Sequence, residues 1–169
     1  MLKGKEKGRI KAGEGSLIGN AGEYYVVAEL LKRGVIAALV PRNTPAFDVL
    51  ATSSDRTIRI RVKTKSSAYS QWQWVVKKDG TIFRSISDQD DFTVLVDLAI
   101  DNKDLKFFVV PTRKVDLWLN ADYRKWVEAP GKYGQAHDPT NKKRTLDQDE
   151  HSTDLEPYLN GWEILWRSK

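Results

Sequence analysis

Three charged residues in the first part of the chain, Glu23, Asp48 and Lys63, carry side chains that could do chemistry together. Glu23 and Asp48 offer the oxygen ligands that Mg²⁺ prefers, and this ion usually keeps several of its waters. Mg²⁺ or Mn²⁺ held by these carboxylates would polarise a phosphoryl oxygen and lower the pKa of a bound water. Lys63 could orient the attacking water or neutralise charge that develops on the phosphate. The three residues therefore favour metal-assisted chemistry on a phosphate, with Glu23 and Asp48 as candidate metal ligands.

The elements that must position these residues can be predicted from the spacing of apolar side chains. Residues 17–33 have apolar positions at helical spacing and end before Gly34, which predicts a helix carrying Glu23. Strands are predicted over 35–40, 47–52 and 57–65, so Asp48 lies near the start of the second strand and Lys63 on the third. The third strand alternates strictly, with its apolar residues on one face and its basic residues on the other.

The rest of the chain predicts more strands and a second helix. Residues 67–83 indicate a hairpin turned at Lys78-Asp79-Gly80, and two strands follow at 92–100 and 106–111. A helix after Pro111 is expected to be capped by Thr112, and 129–150 to form a long surface loop. Short helical pieces over 153–166 close the chain. This order predicts an α/β (α+β) fold with a mixed central sheet flanked by helices.

The pattern around the three charged residues resembles the PD-(D/E)XK nuclease superfamily, in its restriction endonuclease-like and Holliday-junction resolvase-like branch. The residues that carry the resemblance are Gly22-Glu23, Pro45-Ala46-Phe47-Asp48 and Arg61-Val62-Lys63-Thr64. The resemblance covers about residues 16–66. It implies an αβββαβ core, which residues 92–126 fit in element order. Residues 127–169 match no part of the family pattern and are read as a C-terminal extension of loop and short helices. It also implies Mg²⁺-dependent hydrolysis of DNA phosphodiester bonds with Glu23, Asp48 and Lys63 as catalytic residues, and a possible homodimer.

Arg61 departs from this family pattern, because it stands where the family has an acid or a glutamine. An arginine cannot ligate Mg²⁺ and stays charged at any relevant pH. It could turn away and bind substrate phosphate, replace the metal as an electrostatic clamp, or pair with the carboxylates in a domain that has lost catalysis. The last reading predicts a silent nucleic-acid-binding or interaction module, and an unrelated domain with a coincidental trio stays open as well.

Four residues around the motif are predicted to bind substrate, namely Arg61, Lys65, Gln71 and Gln73. Trp72 and Trp74 alternate with the glutamines, as in a half-buried strand, and are expected to pack. The chain is divided into a flexible basic arm over 1–15, a core domain over 16–126, and a loop with short helices over 127–169 packed on the same domain.

Composition excludes several other classes of site. The chain has 169 residues, a net charge of +5 and no cysteine, so thiolate metal sites and cysteine nucleophiles are ruled out. His137 and His151 have no partner at a useful spacing and are expected at the surface, as is Asp90-Asp91 as loop charge. No apolar run is long enough to span a membrane, so a cytoplasmic protein is expected, and the family resemblance implies that it contacts DNA.

Overall fold

The computed structural model describes residues 14–41, 46–53, 56–66, 69–87, 89–98 and 105–167. Most of the predicted basic arm, residues 1–13, lies outside this part of the chain. The first helix, α1, spans Glu14–Lys32, and it therefore begins three residues earlier than predicted. It ends one residue earlier than predicted, and Gly34, the predicted stop, has a φ of +75°. The amide N–H of Gly34 donates to the Leu31 carbonyl and that of Val35 to the Leu30 carbonyl, which is the hydrogen-bond pattern of a Schellman motif.

A five-stranded mixed sheet forms the centre of the molecule. Its strands are β1 (Ile36–Leu39), β2 (Val49–Ser53), β3 (Arg56–Ser66), β5 (Asp91–Leu98) and β6 (Lys106–Pro111), and they lie in that order across the sheet. Only β3 and β5 are parallel neighbours; the other pairs are antiparallel. This confirms the predicted mixed central sheet, and β3 lies at its middle.

Both faces of this sheet are covered, which explains the almost continuous apolar runs of β5 and β6. Successive side chains alternate between the faces, so Val94 and Val96 pack on the side of α1 and Leu95 packs on the other side. We call these two sides the α1 face and the ribbon face. Helix α2, Thr112–Glu128, contributes Val115 and Leu119 to the ribbon face.

The ribbon face is named for a second, two-stranded sheet in which β4 (Gln71–Val75) pairs with β7 (Lys143–Asp147). The predicted hairpin over 67–83 was therefore only half right. Its turn forms, with Gly80 at a φ of +81° and the Lys77 N–H donating to the Thr81 carbonyl. The partner of β4, however, comes from the segment 129–150, which was predicted to be a loop.

Two smaller predictions on the ribbon face were wrong. Thr112 does not cap α2, because its buried hydroxyl lies 3.0 Å from that of Thr93 on β5. His151 is buried rather than exposed, with Nε2 2.7 Å from an Asp122 oxygen and Nδ1 3.0 Å from an Asp154 oxygen. The histidine thereby joins α2 to the C-terminal segment.

The C-terminal segment continues with α3 (Ser152–Leu155) and two 3₁₀ turns, Glu156–Tyr158 and Trp162–Trp166. Trp162 and Leu165 are buried in the cluster of the α1 face, whereas Leu155 belongs to the cluster of the ribbon face. Within the described residues no helix has the length and hydropathy that a membrane crossing requires.

Candidate functional site

Asp48 lies immediately before β2, and both its backbone and its side chain hydrogen-bond to the backbone of β3. Its N–H donates to the Ile60 carbonyl, and its Oδ2 accepts from the Val62 N–H at 2.8 Å. Burial raises the pKa of Asp48 above its ordinary value, although the Val62 N–H and the charges of Arg61 and Lys63 act in the opposite direction. The other oxygen, Oδ1, has no hydrogen-bond partner among the described residues, so it can accept a cation or a donor from a ligand.

Lys63 lies on β3 with its side chain on the ribbon face. Its Nζ is 5.4 Å from the centre of the Trp74 ring, at a distance typical of a cation–π contact. Burial lowers the pKa of Lys63, and the charge of Asp48 partly opposes that shift. Asp48 and Lys63 therefore interact electrostatically, and each is shifted toward its neutral form by loss of solvent. Functional sites are enriched in such shifted pairs.

Glu23 is half-buried on α1, next to the point where this helix touches β3. That contact requires Gly22, because a Cβ at this position would lie 1.9 Å from the Thr64 hydroxyl oxygen. Thr64 directly follows Lys63. The missing side chain of Gly22 therefore lets α1 pack directly on β3. Helix α1 lies on the α1 face of the sheet, whereas Lys63 projects from the ribbon face, so a site shared by Glu23 and Lys63 stays a prediction.

Arg61 enters a buried ion pair with Asp91 and not with Asp48. Its Nη1 is 2.5 Å from Oδ1 of Asp91 on β5, and its Nη2 donates to the Arg84 carbonyl at 3.0 Å. The side chain of Asp91 is fully buried and also accepts from Arg59 at 2.5 Å. The description of Asp90-Asp91 as solvated loop charge was therefore wrong for Asp91. No ion pair joins Arg61 to Asp48 within the described residues.

Three of the four basic side chains that alternate along β3 are used in ion pairs with β5. Lys65 is 7% exposed, and its Nζ lies 2.9 Å from an Asp97 oxygen, although the angle is not that of a hydrogen bond. Arg59 and Arg61 share Asp91. In the described part of the chain, Lys63 is the one basic residue of this row that has no carboxylate within 4 Å. It is therefore the cation of β3 that is left for a ligand.

The two glutamines predicted to bind substrate lie on the outer side of β4. Gln73 is exposed and pairs in register with Thr145, whereas the Gln71 side chain hydrogen-bonds to Asp147. Gln73 is therefore free to meet a ligand, and Gln71 and Lys65 are already engaged. Their proposed binding roles stay predictions.

Two residues that shape the site were not predicted, Asp91 and Trp74. A signal for Asp91 was present in the spacing, because Arg59 and Lys65 are separated by the same number of residues as Asp91 and Asp97, and the two pairs lie opposite in parallel register. Trp74 was expected only to pack, and the alternation of β4 contained no sign that its ring would lie beneath Lys63.

The mixed sheet and the helices on its two sides define a protein of the restriction endonuclease-like fold class. The chain is similar in structure to the bacterial homing endonuclease I-Ssp6803I, with a TM-score of 0.50 and 16% identity over 89% of this chain and 90% of that one. It also resembles Hjc, a Holliday junction resolvase from the archaeal hyperthermophile Archaeoglobus fulgidus, with a TM-score of 0.44 and 13% identity over 80% and 88%. No family model and no curated protein matches the sequence. At these identities the likeness to the homing endonuclease shows the fold.

Proposed function

We propose that this protein is a Mg²⁺-dependent endonuclease that hydrolyses phosphodiester bonds of DNA. The observation that carries the proposal is that Asp48 and Lys63 are both half-buried and interact electrostatically, and that Lys63 has no carboxylate within 4 Å among the described residues while Arg61 and Lys65 beside it on β3 are ion-paired. The resemblance of the motif residues to nucleases and the fold shared with a homing endonuclease support the same conclusion.

The residues present fit a hard divalent cation. No described residue hydrogen-bonds to Oδ1 of Asp48, and Glu23 on α1 is the candidate second carboxylate. The described residues contain no group of three or more His, Cys, Asp and Glu that could hold a metal. A site made of two carboxylates and several waters is usual for Mg²⁺, because this ion gives up its waters reluctantly. When bound, the ion would supply Lewis-acid stabilisation of a phosphoryl oxygen and a more acidic water.

The chain's own residues have separate roles in this proposal. Asp48 and Glu23 hold the cation. Lys63 stabilises negative charge on the phosphate, and partial exclusion of water strengthens that interaction. Trp74 positions the Lys63 ammonium group, and Gln73 contacts the nucleic acid from the outer side of β4.

A non-catalytic DNA-binding module is the second candidate, and Arg61 is the observation that favours it. Arginine at the position of the family's acid or glutamine removes one potential oxygen ligand. Its partner is Asp91 rather than Asp48, however, so among the described residues the carboxylate of Asp48 is not neutralised by a direct ion pair. The non-catalytic candidate therefore rests on the metal ligand that Arg61 does not supply.

Nicking of supercoiled plasmid DNA in the presence of Mg²⁺ or Mn²⁺ tests the proposal. We expect the wild-type protein to cleave, EDTA to abolish cleavage, and Asp48→Asn and Lys63→Ala each to lose about a hundredfold or more in rate, since each variant removes a group that stabilises transition-state charge. Lys32→Ala is the matched control, because Lys32 is exposed at the end of α1, on the opposite side of the sheet from Lys63.

Equal cleavage by the wild-type protein, Asp48→Asn and Lys63→Ala would overturn the catalytic assignment. A wild-type protein that binds the plasmid without cutting it in either ion would establish the non-catalytic candidate instead.

A further inference from the structure

The segment 76–87, which follows β4, carries three basic residues beside the candidate site. They are Lys77, Lys78 and Arg84. The segment has no strand or helix of its own, but Ile82 and Phe83 are buried in the cluster of the ribbon face. Its backbone is therefore anchored to the sheet, while the side chains of Lys78 and Arg84 stay exposed.

Arg61 and Asp91 fasten this segment to β3 and β5. Arg61 donates to the Arg84 carbonyl at 3.0 Å, and its guanidinium carbon lies 5.5 Å from the centre of the Phe83 ring. Asp91 accepts from the Ser87 N–H at 2.6 Å. Hydrogen bonds to a charged group are stronger than neutral ones, and both charges are buried. The Arg61–Asp91 pair thus holds the backbone on both sides of Ser85, which has a positive φ of 51°.

The segment is a site of excess positive charge. Burial lowers the pKa of Lys77, and the charges of Arg84 and Arg61 lower it further, with Asp79 acting in the opposite direction. Asp79 is itself hydrogen-bonded to the N–H and hydroxyl of Thr81. The hydrogen bond from the Lys77 N–H to the Thr81 carbonyl closes the turn and brings the backbone of Lys77 next to the part of the segment that carries Arg84. An additional anion would relieve the repulsion between these cations.

This charge is continuous with the candidate site. Arg61 precedes Lys63 by two residues on the same face of β3, and Arg61 and Lys63 both interact electrostatically with Asp48. Trp74, which lies under Lys63, belongs to the strand that leads into the segment. An anion bound by Lys77 and Arg84 would therefore lie along the same surface as one bound by Lys63.

We propose that Lys77 and Arg84 bind a backbone phosphate of the DNA next to the phosphate that lies at Lys63, and that Arg61 is the positioning residue that holds Arg84 there. This inference rests on the proposed function for the identity of the ligand as DNA. It also gives a role to Arg61, which stands where the family has an acid or a glutamine. Arg61 holds a phosphate-binding segment in place instead of supplying a metal ligand.

The test measures binding of two fluorescein-labelled DNA duplexes of unrelated sequence over a series of KCl concentrations. All proteins carry Asp48→Asn, so that cleavage cannot disturb the measurement. Binding to phosphate releases counterions, and the slope of log K against log salt is about −0.9 for each phosphate neutralised. We expect Lys77→Ala and Arg84→Ala each to bind both duplexes more weakly and with a smaller slope, and the two changes together to reduce the slope by about 0.9, the contribution of one phosphate. Lys32→Ala, on the opposite side of the sheet, is expected to keep the slope.

Arg61→Lys tests the positioning role, because it keeps the charge but cannot hold Asp91 and the Arg84 carbonyl in the same geometry. We expect its slope to fall as in Arg84→Ala, at a temperature where circular dichroism shows the variant to be folded. An unchanged slope in Arg61→Lys would overturn the positioning role.

Unchanged slopes in both Lys77→Ala and Arg84→Ala, or no binding by the parent protein, would overturn the phosphate site. Plasmid nicking by the protein with Asp48 intact is scored separately. Cleavage with unchanged slopes would support the proposed nuclease activity and reject the phosphate site. Reduced slopes without cleavage would support the phosphate site and reject the nuclease activity.

Discussion

At the scale of single residues, the candidate site consists of charges that the fold disfavours. Asp48 and Lys63 both lose water on folding, and their mutual attraction only partly compensates, because the pKa of Asp48 is raised and that of Lys63 is lowered. A fold that needed only stability would not keep both. Strain of this kind is expected where binding or catalysis requires the charge.

Asp48→Asn is therefore expected to abolish cleavage without lowering stability. The amide oxygen of asparagine can still accept from the Val62 N–H, and the cost of burying the carboxylate charge disappears. Thermal unfolding at neutral pH checks this, with a melting temperature equal to or above that of the wild-type protein. A clearly lower melting temperature would mean that the Asp48 charge stabilises the fold.

The same shift predicts a pH dependence. Because the folded-state pKa of Asp48 lies above its ordinary value of 3.8, the protonated form is favoured by folding. That contribution is present below 3.8 and is lost as the pH rises through the folded-state pKa. The stability advantage of Asp48→Asn should therefore shrink as the solution is acidified, while wild-type cleavage should fall as Asp48 is protonated. Paired melting curves and nicking rates over a pH series measure both trends; an advantage that grows in acid would contradict the assignment.

At the scale of elements, the position of Glu23 depends on how closely α1 approaches β3. Gly22→Ala places a Cβ 1.9 Å from the Thr64 hydroxyl oxygen, so the helix must move outward. We expect a loss of about 1–3 kcal/mol of stability, as for other overpacked sites, together with reduced cleavage because Glu23 moves with the helix. Urea unfolding and plasmid nicking measure the two effects.

Gly19→Ala is the control in the same helix, because nothing lies within 4 Å of the added Cβ. Replacing a helical glycine by alanine in open space should stabilise the protein by about 0.5–1 kcal/mol. If both variants behaved alike, the close approach of α1 to β3 would not be what positions Glu23.

The sequence predicted elements well where the hydrophobic pattern is local. Helix α1 and strands β3, β5 and β6 were found within a few residues, because each has a long periodic or continuous apolar run. Strand β7 was missed, since Lys143–Asp147 contains a single apolar residue, Leu146, and pairs with a strand far away in the chain. Nothing within the segment itself distinguishes such a strand from a loop.

At the scale of the whole molecule, the end of the chain completes the core beneath the central sheet. Trp162 is 4% exposed and its ring centre lies 5.4 Å from that of Phe107 on β6, while Leu165 is fully buried beside it. Side chains near the C-terminus therefore help to cover the same face as α1, and the stability of the sheet depends on them.

Trp162→Ala should consequently destabilise the protein by about 3–5 kcal/mol, the usual cost of removing a buried aromatic side chain. Trp162→Phe should cost much less, because the indole N–H has no hydrogen-bond partner among the described residues. Tyr133→Ala is the exposed control, at 83% exposure, and should leave stability unchanged. Chemical denaturation of the three variants provides the comparison, and a small loss in Trp162→Ala would show that the segment is not part of the core.

By itself the sequence determined the class of fold, the identity of the candidate trio and the apolar runs of the central sheet, because these depend on residue types and short-range periodicity. Only the tertiary structure decided the role of the basic residues on β3. Which cation meets which carboxylate depends on the parallel register of β3 and β5, and that register joins segments separated by some thirty residues. The register pairs Arg61 with Asp91 and Lys65 with Asp97, and it leaves Lys63 beside Asp48.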